Sequence, residues 1–411
     1  MISTDDETRA AWAASLRASP VLCQLAEAPL RTLIDDGAVE AFADGEELIH
    51  ADARTSAVFL LVEGACDVQR KDGTVRLAAP ALVGEIAALT GAPRTATVRA
   101  AGPVKAIVIE RDRFLEAIRT SPAAGQALTE LVADRLCAPD SLRQVGRFTI
   151  DGIIGRGGSG RVLRARHPLL EIPIALKMLS HALALLPDGP STFVREASLL
   201  VRLDHPGIVR VLDAFEAHGT FFIVMPWIDG ETLRALIDRD TSFSREQVLR
   251  IAEESLDALV ALHAAALVHR DIKPSNIHLK TSGRAVLIDF GIACRLRDQD
   301  ESAKRQFVGS PHYSSPEQIL GRPVDGRSDV YSLGCTLYEL VFGQPPFPGN
   351  GIEAVVDGHL HGTASFDLTT SVAMGEAFSR WLKKCLSRTR SQRPDAATAL
   401  AGLRSLRSSN A

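Results

Sequence analysis

The sequence predicts two domains in series: a helix-flanked antiparallel β-barrel, then a bilobal α+β unit with a small strand-rich lobe and a larger helical one. Three observations predict this. Residues 38–110 are short alternating or apolar runs broken by Gly, Asp and Pro, the spacing of a small antiparallel barrel or jelly roll. Helical periodicity brackets them at about 8–36 and 111–137, where Phe114, Leu115 and Ile118, then Leu128, Leu131, Val132 and Leu136, recur three and four residues apart. From Phe148 the pattern restarts as strands, and after about 230 it becomes largely helical.

The bulk properties agree with a soluble globular protein. The 411 residues suffice for two or three compact units. Lys and Arg number 46 against 50 Asp and Glu, a net charge of −4, too balanced for a basic face that wraps nucleic acid. No window approaches the ~18 uninterrupted apolar residues of a membrane span, and the acidic start Met1 to Glu7 is unlike a signal peptide. The expected setting is cytoplasmic. Cys23, Cys66, Cys137, Cys294, Cys335 and Cys385 are scattered without zinc spacing and read as buried free thiols.

Taken in order, barrel strands are expected at 38–42, 47–50, 57–62, 65–69, 74–78, 95–99 and 104–109, in a first domain over 15–137. Pro139, Asp140, Ser141 and Gly146 mark a linker over 138–147, which spans at most about 35 Å even if extended, so the domains stay near each other. The second domain covers 148–405. Strands dominate it to about 229 around one helix at 191–203; helices follow at 231–238, 244–266, 328–342, 376–387 and 395–407.

Chemistry enters at Gly155-Arg156-Gly157-Gly158-Ser159-Gly160-Arg161-Val162. Glycines there let backbone N–H groups approach phosphate oxygens unobstructed. A dinucleotide fold would continue as a helix, whereas Val162 to Ala165 continues as strand. Order strengthens the reading: Ile174-Ala175-Leu176-Lys177 on a strand, Glu196 on a helix, His269-Arg270-Asp271-Ile272-Lys273-Pro274-Ser275-Asn276, Asp289-Phe290-Gly291, then Ser315-Pro316-Glu317. Singly, Lys177 reads as a snorkelling lysine, Glu196 as a solvated helix residue and Asp271 as a turn former. Together, in that order, they exclude coincidence.

These motifs resemble the protein kinase superfamily over about 148–405, and the bacterial Ser/Thr kinases in particular through Leu203 to Val209 and Tyr313 to Gln318. The resemblance implies ATP contacts at Gly155, Gly157, Gly158, Ser159, Gly160, Val162, Ala175, Lys177, Glu196, Met225, Pro226 and Ile228. It implies Asp271 as the catalytic carboxylate, Lys273 as the cation that neutralises the transferred phosphoryl group, and Asn276 with Asp289 as Mg²⁺ ligands. Asp271-x-Lys273 implies Ser/Thr acceptors on protein substrates. Pro226 departs from the family, which usually has an acidic residue there, and Ser310 stands where threonine is usual. Ser302 is the expected regulatory phosphosite, with Arg270 the kind of residue that pairs with an activation-loop phosphate. Glu317 with Arg393, and Asp329, resemble the family's buried ion pair and its loop-organising aspartate.

In the barrel, Val83 to Val98 stands out. Gly84-Glu85 begins a short helical turn whose free N–H groups suit an anion; Glu85 can accept from a ribose hydroxyl and Arg94 can clamp a phosphate. The plainer reading is a barrel loop with a surface ion pair. With its flanking helices the segment resembles a cyclic nucleotide-binding domain over about 15–137, with Gly64 a turn glycine of that fold. Thr95 matches a hydroxyl found in cGMP-dependent kinases and in bacterial cAMP regulators, so cAMP and cGMP both stay open. The resulting expectation is a cyclic nucleotide-responsive Ser/Thr kinase using ATP and Mg²⁺, with no nucleic-acid partner. The alternatives are a kinase whose barrel is a ligand-free docking or homodimerisation module, and a non-catalytic ATP-binding adaptor. A transcription regulator is disfavoured, because a kinase stands where a helix-turn-helix should follow the barrel.

Overall fold

The computed structural model describes residues 6–70, 73–91, 93–138, 143–289, 310–367 and 374–408. The chain forms two compact units, Met1–Phe193 with Leu212–Trp227, and Val194–Val211 with Ile228–Ala411.

The first unit opens with helices α1 (Asp6–Leu16) and α2 (Glu27–Asp36), so the continuous helical pattern at 8–36 is in fact broken around Pro20. Strands β1 (Ala38–Phe42), β2 (Glu47–Ile49), β3 (Val58–Glu63), β4 (Ala65–Arg70), β5 (Gly73–Ala78) and β6 (Ala81–Val83) lead to helix α3 (Glu85–Thr90), then β7 (Thr97–Ala100) and β8 (Val104–Ile109). They form two four-stranded antiparallel sheets, ordered β1-β8-β3-β6 and β2-β7-β4-β5. Alternation does this work: Cys66 and Val68 are buried within β4, and they pack in one cluster with Phe59, Leu61, Val98 and Val104. The three-residue β6 was not anticipated.

Helices α4 (Arg111–Arg119) and α5 (Pro122–Cys137) close the barrel. Pro122 fits the first turn of α5, where its missing N–H costs nothing, and the Ser121 hydroxyl caps the helix by accepting from the Ala124 N–H at 3.2 Å. Leu128, Val132 and Leu136 form its buried stripe.

The small lobe is a six-stranded antiparallel sheet, ordered β13-β14-β12-β11-β10-β9. Its strands are β9 (Gln144–Val145), β10 (Phe148–Gly157), β11 (Gly160–Arg166), β12 (Pro173–Leu179), β13 (Asp213–Ala217) and β14 (Thr220–Pro226), with helix α6 (His181–Ala184) after β12. The compact units cut the chain differently from the domain boundaries read in the sequence. Leu128, Val132 and Leu136 of α5 share one buried cluster with Phe148, Leu163, Leu176 and Phe222 of the lobe, and each such side chain contributes about 1.5–3 kcal/mol by leaving water. Barrel helices and small lobe therefore have a common core.

Helix α7 (Gly189–Val201) carries Glu196. The second unit contains the sheet β15 (Glu231–Thr232), β16 (Ile277–Leu279) and β17 (Ala285–Leu287). Its helices include α8 (Leu233–Asp238), α9 (Arg245–Ala264), α10 (Pro316–Ile319), α11 (Gly326–Phe342), α12 (Ile352–His361), α13 (Glu376–Cys385) and α14 (Ala396–Ser408). Helix α12 was not read from the sequence. Among the described cysteines, Cys66, Cys335 and Cys385 are buried, but Cys23 and Cys137 are only half-buried, which corrects the expectation that all are interior.

Candidate active site

In the second unit the loop between α9 and β16 carries Asp271, Lys273 and Asn276. Asp329, fully buried near the start of α11, fixes it: Oδ2 accepts from the His269 backbone N–H at 2.8 Å and Oδ1 from that of Arg270 at 2.7 Å. His263 Nε2 lies 2.8 Å from the same carboxylate. Arg270 holds a left-handed backbone, φ +67°, which costs about 1–3 kcal/mol and persists only where the surroundings enforce it. Asp329 on its N–H and Gln318 Nε2 on its carbonyl, at 2.8 Å, supply that enforcement.

The side chains of this loop converge. Asn276 Nδ2 donates to the Asp271 carbonyl at 2.7 Å and to its Oδ2 at 2.9 Å, and Lys273 Nζ sits 2.8 Å from Oδ2. Lys273, expected over a phosphoryl group, is thus ion-paired with Asp271. Asn276 spends its N–H₂ on Asp271, which aims its amide oxygen away as a hard donor of the type Mg²⁺ takes. Asp289 has φ +60° after β17. Phe290, Gly291 and Ser302 lie outside the described residues.

Glu317, in the first turn of α10, and Arg393 form a buried two-pronged pair at 2.7 and 3.2 Å, and the Ser328 hydroxyl donates to Glu317 at 2.5 Å. Burial alone would raise the Glu317 pKa, but Arg393 more than offsets this and holds it below the ordinary value.

In the first unit the glycine-rich run is the hairpin between β10 and β11, with Gly157 opposite Gly160. Gly160 is structurally required: at φ +145° an added Cβ would lie 1.9 Å from the Met178 carbonyl oxygen. Gly157 and Gly158 are different. A Cβ at either meets nothing within 4 Å, so packing does not demand glycine there, and both leave backbone N–H groups open to approach. Lys177, buried on β12, lies in register with Val162 on one side and Ile223 on the other. Ala175 pairs with Met225, and Pro226 ends β14 opposite Ile174. Glu196 is buried in the second unit, 3.5 Å from Arg195 Nη2.

The barrel pocket is lined by Gly84, Glu85, Ile86, Arg94 and Thr95, together with Arg135 of α5. Gly84 takes φ +87°, and a Cβ on it would lie 2.4 Å from Arg94 Nη1. The positive φ favours glycine, and a side chain here would have to displace the Arg94 guanidinium. Arg94 is buried, donating to Thr55 Oγ1 at 3.1 Å, the Gly84 carbonyl at 3.0 Å and the Ala57 carbonyl at 2.6 Å. No described carboxylate is ion-paired with it, so a buried cation is left suited to an anionic ligand. Glu85, fully buried, bonds Arg135 through Oε1, while Oε2 has no partner among the described residues. A surface ion pair between Glu85 and Arg94 is therefore corrected on both counts: neither is at the surface, and the cation paired with Glu85 is Arg135. Sequence reasoning missed Arg135; the signal available was Glu130, Asp134 and Arg135 crowding charge onto an otherwise apolar helix.

Among the described residues no helix is long and apolar enough to cross a membrane. The cyclic nucleotide-binding domain family matches residues 39–121, and the protein kinase domain family matches residues 148–402. The chain is 39% identical over 220 residues to the probable serine/threonine-protein kinase PknB of Corynebacterium glutamicum, covering 52% of this chain and 34% of that one. It is also 39% identical over 220 residues to serine/threonine-protein kinase PknB of Mycolicibacterium smegmatis, covering 52% and 35%. The matched region thus spans about a third of the length of these relatives. With its glycine hairpin, buried strand lysine, braced Asp271 loop and Glu317–Arg393 pair, and with most of its length matched, the chain belongs to the protein kinase domain family.

Proposed function

We propose that this chain is a serine/threonine protein kinase that transfers the γ-phosphoryl group of ATP to protein hydroxyls, and that a cyclic nucleotide, cAMP or cGMP, in the barrel pocket regulates it. The observation that carries the kinase reading is the convergence of Asn276 and Lys273 on one oxygen of Asp271. The other oxygen is then oriented to accept the proton of a Ser or Thr hydroxyl as the hydroxyl oxygen attacks the γ-phosphorus and the bond to ADP breaks. Lys177 and the N–H groups of Gly155, Gly157, Gly158, Ser159 and Gly160 hold the phosphates; Val162, Ala175, Met225, Pro226 and Ile228 take the adenine, and Glu196 stands where the kinase family has its helix glutamate. Asn276 and Asp289 would hold Mg²⁺, which would supply charge neutralisation to the phosphates. Ser302 is the proposed activating phosphosite, tested by phosphosite mapping. The proposed setting is cytoplasmic.

The buried Arg94 and the unpartnered Oε2 of Glu85 support the effector reading, for a cyclic phosphodiester and a ribose hydroxyl respectively. A second reading has support as well. Arg94 already bonds two carbonyls and a hydroxyl and Glu85 already holds Arg135, which favours a barrel that serves as a docking or dimerisation module without ligand. Transfer of labelled phosphate by the full chain with Mg²⁺, with and without cAMP and cGMP, separates these. Activity that responds to either nucleotide supports the first reading, unresponsive activity the second, and no transfer leaves an ATP-binding adaptor.

A further inference from the structure

The glycine hairpin is tied to the barrel. Arg156, inside the glycine run, donates to Glu130 Oε2 of α5 at 2.6 Å and to Asp134 Oδ1 at 3.3 Å. Arg161, between the last glycine and Val162, donates through Nε to the same Glu130 oxygen at 2.8 Å, and its Nη2 pairs with Oε1. Arg161 also ties the hairpin to itself, donating to the carbonyls of Gly157 at 2.8 Å and Gly160 at 2.6 Å. Its side chain is 2% exposed. The carboxylate that pairs with this buried guanidinium comes from the barrel's last helix.

That helix is firmly seated on the lobe. An added Cβ at Gly125 would lie 2.7 Å from the Ala182 backbone, and Thr129 Oγ1 accepts from the His181 backbone N–H at 2.8 Å. Arg135, five residues and about 7.5 Å beyond Glu130 on the same helix, is the residue paired with Glu85 of the pocket. A single rigid element thus holds the hairpin at one point and the pocket at another.

We propose that Glu130 is a positioning residue for the ATP-binding hairpin, making helix α5 of the barrel a working part of the small lobe. The proposal rests on the ATP-binding reading of that hairpin, and it deepens the regulatory one. A ligand that draws Glu85 away from Arg135 acts on the element that sets the hairpin.

The test uses the full chain, comparing wild type with Glu130→Gln and with Arg156→Gln, which removes one exposed partner without uncovering Arg161. Two quantities are read: hydrogen exchange of the amides of residues 156–161, and MgATP affinity by calorimetry alongside KM and kcat for ATP. In Glu130→Gln we expect exchange at least about tenfold faster, a dissociation constant and KM about 5- to 20-fold higher, and kcat within about twofold. Arg156→Gln shows a smaller change in the same direction, and Glu130→Asp restores part of the loss. Unchanged exchange and affinity in folded variants overturn the proposal, as does a fall in kcat with affinity intact. If wild type binds no ATP, the kinase reading fails, while the exchange ratio still decides whether Glu130 sets the hairpin. If wild type responds to cAMP or cGMP, Glu130→Gln blunts that response; a full response in the variant removes α5 as the route.

Discussion

The Asp271 loop is built from one short run of chain and the barrel pocket from several strands and a distant helix, and they are held in opposite ways. Asp271 is held by Asn276 and Lys273 of its own loop, with the loop's backbone pinned by Asp329 of the same unit. Glu85 is held by Arg135, 50 residues away, from a helix whose buried face is also the core of the small lobe. A site braced by its neighbours keeps its geometry whatever happens elsewhere. A site braced by a shared helix transmits what happens to it. The difference fits the catalytic and regulatory roles proposed for the two sites.

The largest expected effect tests the self-contained side. Asp271→Asn should lower phosphoryl transfer about 10²- to 10⁴-fold, the usual worth of a positioned proton acceptor, and Lys177→Met and Asp289→Asn should each abolish it by removing phosphate positioning and metal charge. Nucleotide affinity at the barrel should stay within about twofold of wild type in Asp271→Asn, because the pocket shares no residue with that loop. Labelled-phosphate transfer and calorimetry read the two arms. Undiminished transfer breaks the site assignment.

Next in size is the Glu317–Arg393 pair. Arg393→Ala strands a buried carboxylate and should cost about 3–5 kcal/mol in urea unfolding. Its acid response has a defined sign. The folded pKa of Glu317 lies below the ordinary 4.5, so the unfolded chain binds the proton more readily and the pair's contribution is complete above about 4.5. It is lost as pH falls through the folded value. Arg393→Ala should abolish that acid-side loss; an unchanged slope places its origin elsewhere.

A smaller effect sits on the shared helix itself. His181, fully buried, places Nδ1 2.9 Å from Thr129 Oγ1 of α5 and donates from Nε2 to the His218 carbonyl at 2.9 Å. Burial pushes its pKa down to about 4 from 6.5. With the folded value below the unfolded one, stability is full above 6.5 and falls as pH drops toward 4, by about 2 kcal/mol at pH 5. Glu317 contributes nothing in that window, so His181→Gln should flatten part of the fall between pH 7 and 5. His359 in the second unit, also pushed down to about 4 by burial, should account for a further part.

Legibility in the sequence followed the same divide. The Asp271 loop was readable because its partners lie within a few residues and their types are dictated by phosphoryl transfer. Likewise Gly84 and the α3 turn were readable, since a glycine before a short apolar helix has a local cause. The partner of Glu85 was not, because which guanidinium reaches a buried carboxylate is decided by how α5 lies on the barrel, which periodicity does not encode. The common core of barrel and small lobe was hidden for that reason too. Pro139 to Gly146 has the composition of a free linker, yet Val145 is buried in that core and Gln144–Val145 is a strand. Helix α12 escaped notice because Gly358 and flanking glycines weaken its signal.

The finest prediction sharpens the comparison at the pocket. Thr95 is exposed on the pocket wall and makes none of the bonds that hold the barrel together, whereas Arg94 beside it is buried and makes three. Arg94→Lys keeps the charge but loses the planar fork, so cAMP and cGMP should both weaken at least about tenfold. Thr95→Ala removes one hydroxyl that folding does not use. Its melting temperature should match wild type, and whatever it changes is a ligand contact. One hydrogen bond to a purine substituent is worth about 0.5–1.5 kcal/mol, so the ratio of cGMP to cAMP affinity should shift about 2- to 12-fold, with the phosphate contribution untouched. Calorimetry on the full chain with each nucleotide measures it. A Thr95→Ala protein that loses both nucleotides equally would give the hydroxyl a phosphate role; one that binds both as wild type would remove Thr95 from the pocket's chemistry and leave Glu85 and Arg94, which face groups the two nucleotides share.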